Sequence, residues 1–262
     1  MNKLQTTLDQ IKKEKRIGLM THVVIGYPTL ENTQSLVMTM ANCGVDFIEL
    51  QIPFSDPIAD GPTIMRACEK SLRNGTKTKD AFEIANKLSK KVSVPLLFMS
   101  YYNTIFKYGV EKFCRNAERA GIVGLIVPDM PIEEEPEEHF FTMCRKYKLN
   151  AIHVISPVST AERLIKNAEV ATGFVYATAR QGITGARGEL DTDIARYLRK
   201  VKKAFPIPVA LGFGISKKEH IQALKGYADI AVIGSALLDV ISGSNNLEKD
   251  VKDFLSNLKV VE

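Results

Sequence analysis

Glu49 stands inside an otherwise mostly apolar run, Phe47-Ile48-Glu49-Leu50-Gln51-Ile52. A carboxyl placed there is either a core acid with a satisfied partner or a group that moves protons. Apolar surroundings disfavour the ionised form, which raises the pKa and makes such an acid a usable proton donor near neutral pH. The segment that follows, Pro53-Phe54-Ser55-Asp56-Pro57-Ile58-Ala59-Asp60-Gly61-Pro62, is dense in turn formers and carries two further acids. Asp56 before Pro57 and Asp60 before Gly61 each have an ordinary explanation as turn residues. A second kind of chemistry is written in glycines late in the chain, at Gly182-Ile183-Thr184-Gly185-Ala186-Arg187-Gly188, Gly212-Phe213-Gly214-Ile215-Ser216 and Gly234-Ser235. Glycine lets backbone N–H groups approach an anion, and a helix start favours negative charge. Any one of these loops could be a plain tight turn; the three together suggest a phosphate.

Positioning such groups requires a scaffold whose loops converge. Eight short apolar runs recur along the chain: Leu19–Ile25, Phe47–Ile52, Pro95–Ser100, Leu125–Val127, Ala151–Ile155, Gly173–Ala177, Val209–Gly212 and Ile230–Ile233. Most are continuous rather than alternating, as parallel strands covered on both faces are. Between them, apolar residues fall at helical spacing. Ala81, Ile84, Ala85 and Leu88 make one stripe, and N-cap signals stand at Thr78 and at Ser159 or Thr160. This alternation predicts an α/β fold, a single (β/α)8 TIM barrel over residues 1–262, with an extra N-terminal helix at Lys3–Glu14 closing its floor and a trailing helix at Leu247–Leu258. A dinucleotide-binding sheet would place its glycine motif after the first strand; here the glycines follow the sixth, seventh and eighth. In a barrel the site lies at the carboxyl ends of the strands, where Glu49, the loop after it and the glycine corner all fall.

Composition narrows the function classes. The net charge of +5 comes from 35 basic residues among 30 acidic ones, scattered along the chain, which argues against nucleic acid as a partner. Cys43, Cys68, Cys114 and Cys144 are far apart, matching neither a metal knuckle nor a stapled secreted domain. No apolar stretch is long enough for a membrane span, and the polar N-terminal segment lacks a signal peptide's core, so a cytoplasmic protein is expected.

The stretch from Glu49 to Ile64 resembles the signature segment of the tryptophan synthase α subunit family. Tyr101-Tyr102-Asn103, Gly124-Leu125-Ile126-Val127-Pro128-Asp129-Met130-Pro131, Gly173-Phe174-Val175-Tyr176, Gly182-Ile183-Thr184-Gly185 and Gly212-Phe213-Gly214-Ile215 are similar to the family in the same order. The resemblance runs from about Leu19 to about Gly243. It implies a lyase that cleaves indole-3-glycerol phosphate to indole and glyceraldehyde 3-phosphate by a retro-aldol reaction, with no metal and no cofactor in this chain. By the same resemblance, Glu49 is the acid–base group, Asp60 holds the indole N–H, and Tyr176 lines the site. Gly185, Phe213, Gly214, Gly234 and Ser235 match phosphate-binding positions. The resemblance further implies a pyridoxal-phosphate β subunit as partner in an α2β2 complex, docking on Pro53, Asp56, Asn103, Asp129 and Pro131.

The chain departs from that pattern at several places. Gln51 stands where the family has glycine and, two residues from Glu49, should share its face of the strand. It either hydrogen-bonds Glu49 or satisfies another polar neighbour. His22 replaces an apolar or aromatic residue, and a lone strand histidine is more often a bonded core residue than a catalyst; His153 calls for the same view. Ala179, Tyr27 and Thr104 replace a serine, an acid and a proline. Three alternatives stay open on sequence grounds: another phosphate-binding barrel enzyme, a non-catalytic activator of a β subunit, and a lyase acting without a partner.

Overall fold

A computed structural model of the chain describes residues 3–179, 190–212 and 214–258. Among the described residues, nine strand segments form one parallel sheet: β1 (Gly18–Val24), β2 (Phe47–Gln51), β3 (Leu96–Met99), β4 (Gly124–Ile126), β5 (Asn150–Ile152), β6 (Val154–Ile155), β7 (Val175–Thr178), β8 (Val209–Gly212) and β9 (Ile230–Ile233). Their order is β5-β4-β3-β2-β1-β9-β8-β7-β6. The two outer segments are halves of one chain run, interrupted only at His153, so the sheet curls round on itself as a barrel. The eight runs expected from the sequence are all strands, and the ninth segment arises because the fifth run is broken. His153 turns its ring outward onto Phe141, with ring centroids 4.8 Å apart, and bonds Asn167, while its carbonyl still accepts from the Tyr176 amide at 2.9 Å.

Helices cover the barrel wall. In chain order they are α1 (Lys3–Glu14), α2 (Leu30–Asn42), α3 (Pro62–Arg73), α4 (Thr78–Leu88), α5 (Tyr102–Tyr108), α6 (Val110–Arg119), α7 (Glu135–Glu138), α8 (Phe140–Lys146), α9 (Ala161–Val170), α10 (Thr192–Ala204), α11 (Lys218–Ala223) and α12 (Ser235–Gly243), and α13 (Leu247–Leu258) trails. Two caps differ in outcome. Thr160 accepts from the Arg163 amide at 3.2 Å and starts α9 as expected. Thr78 is already inside α4; its N-cap is Lys77, whose amide donates to Asp80 Oδ2 at 2.8 Å. An acid at the third helical position can reach back to the free amide at the helix start, so the cap moves one residue upstream.

Apolar packing is divided between the outside and the inside of the barrel. The larger cluster lies between strands and helices, with Val23, Leu50, Phe98, Leu125 and Leu211 facing Leu36, Ala85, Phe113 and Leu237. The smaller one fills the barrel floor, where Leu4, Leu8 and Ile11 of α1 pack with Met20, Phe47, Leu97, Phe174, Ala210 and Ile230. Leu4, Leu8 and Ile11 lie on one stripe of α1, and burying it makes this helix the expected plug. Strand alternation then sets the next level. Met20 pairs with Phe47 in register and points inward, so His22, Glu49 and Gln51 also point inward, one or two layers nearer the mouth.

Candidate active site

The polar residues of that upper layer have nowhere to go but into one another and into a cavity. His22 lies directly opposite Glu49 across the β1–β2 ladder, and His22 Nδ1 is 3.2 Å from Glu49 Oε1. Glu49 is only 3 % exposed. The other polar atoms of this pair, His22 Nε2 and Glu49 Oε2, are buried and meet no hydrogen-bonding group among the described residues. The surroundings of Glu49 are therefore not the purely apolar wall that its strand suggests. An imidazole sits against it.

Asp60 reaches the same place from the loop ahead of α3. Gln51 Nε2 donates to Asp60 Oδ2 at 2.7 Å, and the Tyr101 hydroxyl donates to the same oxygen at 3.0 Å. Tyr101 in turn accepts from the Ala59 amide at 3.0 Å, which ties the loop to the end of β3. Gln51 thus satisfies Asp60 rather than Glu49, deciding between the two roles open to it. Each carboxylate has its own partner: an imidazole for Glu49, an amide and a phenol for Asp60.

Electrostatics follow from this crowding. Burial alone would lower the pKa of His22, but the Glu49 carboxylate, with Asp60 behind it, raises it above the ordinary histidine value. Burial raises that of Asp60, with His22, Gln51 and Tyr101 pulling the other way. Burial, then the two nearby acids, holds Tyr176 firmly in its neutral phenol form. The Tyr176 ring lies over Gly212, where an added Cβ would sit 2.4 Å from the phenol oxygen, so a glycine is needed there to admit the ring.

These groups line a cavity of about 480 Å³ at the carboxyl ends of the strands. His22, Glu49, Asp60 and Tyr176 share it with Gly214, Gly234 and Ser235, and Ile64, Met99, Ile126 and Val232 give it apolar walls. Gly214 adopts a left-handed backbone (φ +77°), and Gly234 caps α12 without any side-chain hydrogen bond, leaving the helix start facing the cavity. Such a helix start, fronted by glycine, suits an anion. Of the expected phosphate positions, Gly185 and Phe213 lie outside the described residues.

The expected docking residues fall differently. Asp56, Asn103 and Asp129 are exposed, Pro131 is half-buried, and Asp129 Oδ1 accepts from the Tyr102 amide at 2.8 Å. Pro53 is buried within the chain and offers a partner little surface. Sequence reasoning passed over Tyr101 as a partner of Asp60 and treated His22 as a core residue. Its position inside the same strand layer as Glu49 was the available signal, but it needs the strand register.

The sequence profile of the tryptophan synthase alpha chain family matches residues 8–262. This chain belongs to the tryptophan synthase alpha chain family. A tryptophan synthase alpha chain of Desulfotalea psychrophila is 44% identical over 256 residues, covering 98% of this chain and 99% of the relative. One of Caldanaerobacter subterraneus subsp. tengcongensis is 40% identical over the full length of both. Among solved structures, the tryptophan synthase subunit alpha of Legionella pneumophila matches with a TM-score of 0.90 at 28% identity, over 98% of this chain and 97% of that one. A Mycobacterium tuberculosis tryptophan synthase matches at 0.88 and 30% identity, over 98% of each chain. The family's reaction is the cleavage of indole-3-glycerol phosphate in tryptophan biosynthesis. Its alpha chains work with a β subunit, which carries the pyridoxal phosphate. Membership removes the unrelated phosphate-binding barrel enzyme from the alternatives.

Proposed function

We propose that this chain performs the retro-aldol cleavage in the cavity described, with Glu49 moving the proton and Asp60 and Tyr176 shaping the indole end. The bond broken joins the indole ring carbon to the glycerol side chain. As it breaks, the ring carbon receives a proton and the adjoining glycerol hydroxyl loses one as it becomes the aldehyde. Glu49 gives the first of these protons and takes up the second, and a positioned acid or base contributes about 10²–10⁴-fold. Asp60 accepts the indole N–H as positive charge develops on the ring, and the bonds from Gln51 and Tyr101 to Oδ2 hold it in place for that. The start of α12, with Gly234 and Ser235, and Gly214 take the phosphate, together with Gly185 and Phe213.

The observation that carries this reading is a buried acid in the second strand sharing one cavity with a second carboxylate and a glycine-fronted helix start. The volume of about 480 Å³ is that of a small-molecule site. The β subunit docks on the loops bearing Asp56, Asn103, Asp129 and Pro131 in an α2β2 complex. The apolar residues exposed there, Ile58 (85 %) and Phe106 (59 %), favour a protein partner. No helix among the described residues is long and apolar enough to cross a membrane, in keeping with work in the cytoplasm.

The test is indole release from indole-3-glycerol phosphate by the purified chain, alone and with a β subunit added. Release that rises with the β subunit supports the reading. A chain that stimulates the β subunit's own use of indole yet releases none is instead a non-catalytic activator. Equal release with and without the β subunit makes it a lyase that needs no partner.

A further inference from the structure

We propose that His22 is a positioning residue of the cleavage, holding the Glu49 carboxyl in place and sharing with it the proton that Glu49 gives to the ring carbon and regains from the hydroxyl. The inference rests on the reading of Glu49 as the acid–base group. It starts from register: His22 and Glu49 are paired positions on adjacent strands, both inward, with Nδ1 and Oε1 3.2 Å apart. Both side chains are almost wholly buried and both line the cavity. A histidine that merely filled space would serve no better than an apolar residue and would carry a desolvation cost. Opposite a carboxylate, it has a use.

One proton held between an imidazole and a carboxyl leaves the pair with no net charge. Removing that proton strands a carboxylate in a buried place, and adding a second leaves an imidazolium without its counter-ion. Both are costly, so the buried pair is best accommodated with one proton between its facing atoms. With that proton in place, Glu49 can give a proton to the ring carbon and take one from the hydroxyl while His22 compensates the charge on the carboxyl. No proton is gained or lost overall.

The neighbours act on this pair more weakly than its two members act on each other, although Asp60 and Gln51 both favour the charged imidazole. Asp60, from the loop before α3, is the other acid close to His22, and Gln51 and Tyr101 occupy it. Tyr176 of β7 faces the acids as a neutral phenol, and Asp239 of α12 lines the cavity while accepting from Thr63 Oγ1 at 3.0 Å. Gly234 borders the imidazole on the other side without contributing a charge, its position for a Cβ being 3.8 Å from that of His22.

Two measurements on the full chain test this. The first needs no substrate: ¹⁵N NMR titration of the His22 ring, which is one of four histidines, in the parent and in Glu49→Gln. The midpoint should fall by about one unit or more in the variant, because the raising charge is removed and burial remains. The second is the pH profile of kcat for indole release by the parent, His22→Phe and His22→Asn. The phenylalanine variant should lose about tenfold or more in kcat with KM within about threefold, and one limb of the profile should vanish. Asparagine, which restores a donor near the Nδ1 position, should recover much of kcat but not the missing limb. A His22 midpoint unmoved by Glu49→Gln overturns the proposal, as does a phenylalanine variant with both limbs intact and kcat within about twofold. A parent chain that titrates as described but releases no indole overturns the reading of the site instead.

Discussion

Two histidines sit in the barrel wall, equally buried, and the molecule treats them in opposite ways. His22 faces the cavity across from Glu49, and the carboxylate outweighs burial and raises its pKa. His153, at the break between β5 and β6, stacks on Phe141 and bonds Asn167 Oδ1 at 2.8 Å; burial dominates there and lowers its pKa. Residue type and burial are the same, and what differs is the group across from the ring. A charge opposite in register makes one histidine part of the proton chemistry, whereas a neutral amide and an aromatic face make the other a structural piece held neutral.

That contrast can be broken or sharpened by substitution. The largest effect outside Glu49 itself belongs to Asp60→Asn, which keeps a hydrogen-bonding group near Gln51 and Tyr101 but removes the charge that meets the indole N–H. Indole release should fall about 10²-fold or more, measured as kcat/KM at saturating β subunit. A loss below about threefold would take Asp60 out of the chemistry.

His153→Phe should do the reverse, costing stability and sparing turnover. It keeps the stacked ring but leaves Asn167 Oδ1 without its donor, a loss of about 1–2 kcal/mol by denaturant unfolding at pH 8. The pH dependence carries a sign. A histidine with a lowered folded pKa binds its proton more readily when unfolded, so its site loses stability as pH falls below about 6.5. His22, with a raised folded pKa, favours the fold at low pH and gives up that contribution as pH rises through its folded value. The gap between parent and His153→Phe should therefore narrow from pH 8 to pH 5. A gap that widens would mean that His153 is charged in the fold.

Gln51→Gly, restoring the residue the family has there, is the smallest change. It frees Asp60 from one of its two donors, and kcat should change by only a few-fold because Tyr101 still holds Oδ2. A loss as large as that of Asp60→Asn would place the amide itself among the groups that touch substrate.

Much of this arrangement is legible in the sequence, and the remainder fails for identifiable reasons. Continuous apolar runs mark the strands because both faces of each are covered, and the stripe of Leu4, Leu8 and Ile11 marks the floor helix. Glu49 and Gln51 are correctly set inward together by alternation alone. What Gln51 bonds was open, because the answer depends on how the Asp60 loop folds back over the barrel, and Asp60 and Tyr101 are 41 residues apart. His22 was undervalued for a similar reason: its partner is on another strand, and only the register of β1 against β2 brings the two together. The break at His153 is equally silent, since Ala151–Ile155 has the composition of one unbroken strand. Alpha-helix caps slip by a residue where an acid further along, such as Asp80, competes for the free amide.

The central claim is that the carboxyl of Glu49 moves the proton that lets the carbon–carbon bond break. Indole release from indole-3-glycerol phosphate by Glu49→Gln, with the β subunit present and binding of a substrate analogue measured alongside, tests it most directly. The account predicts a rate lower by about 10²–10⁴-fold with analogue affinity nearly unchanged. Turnover within about tenfold of the parent would contradict it.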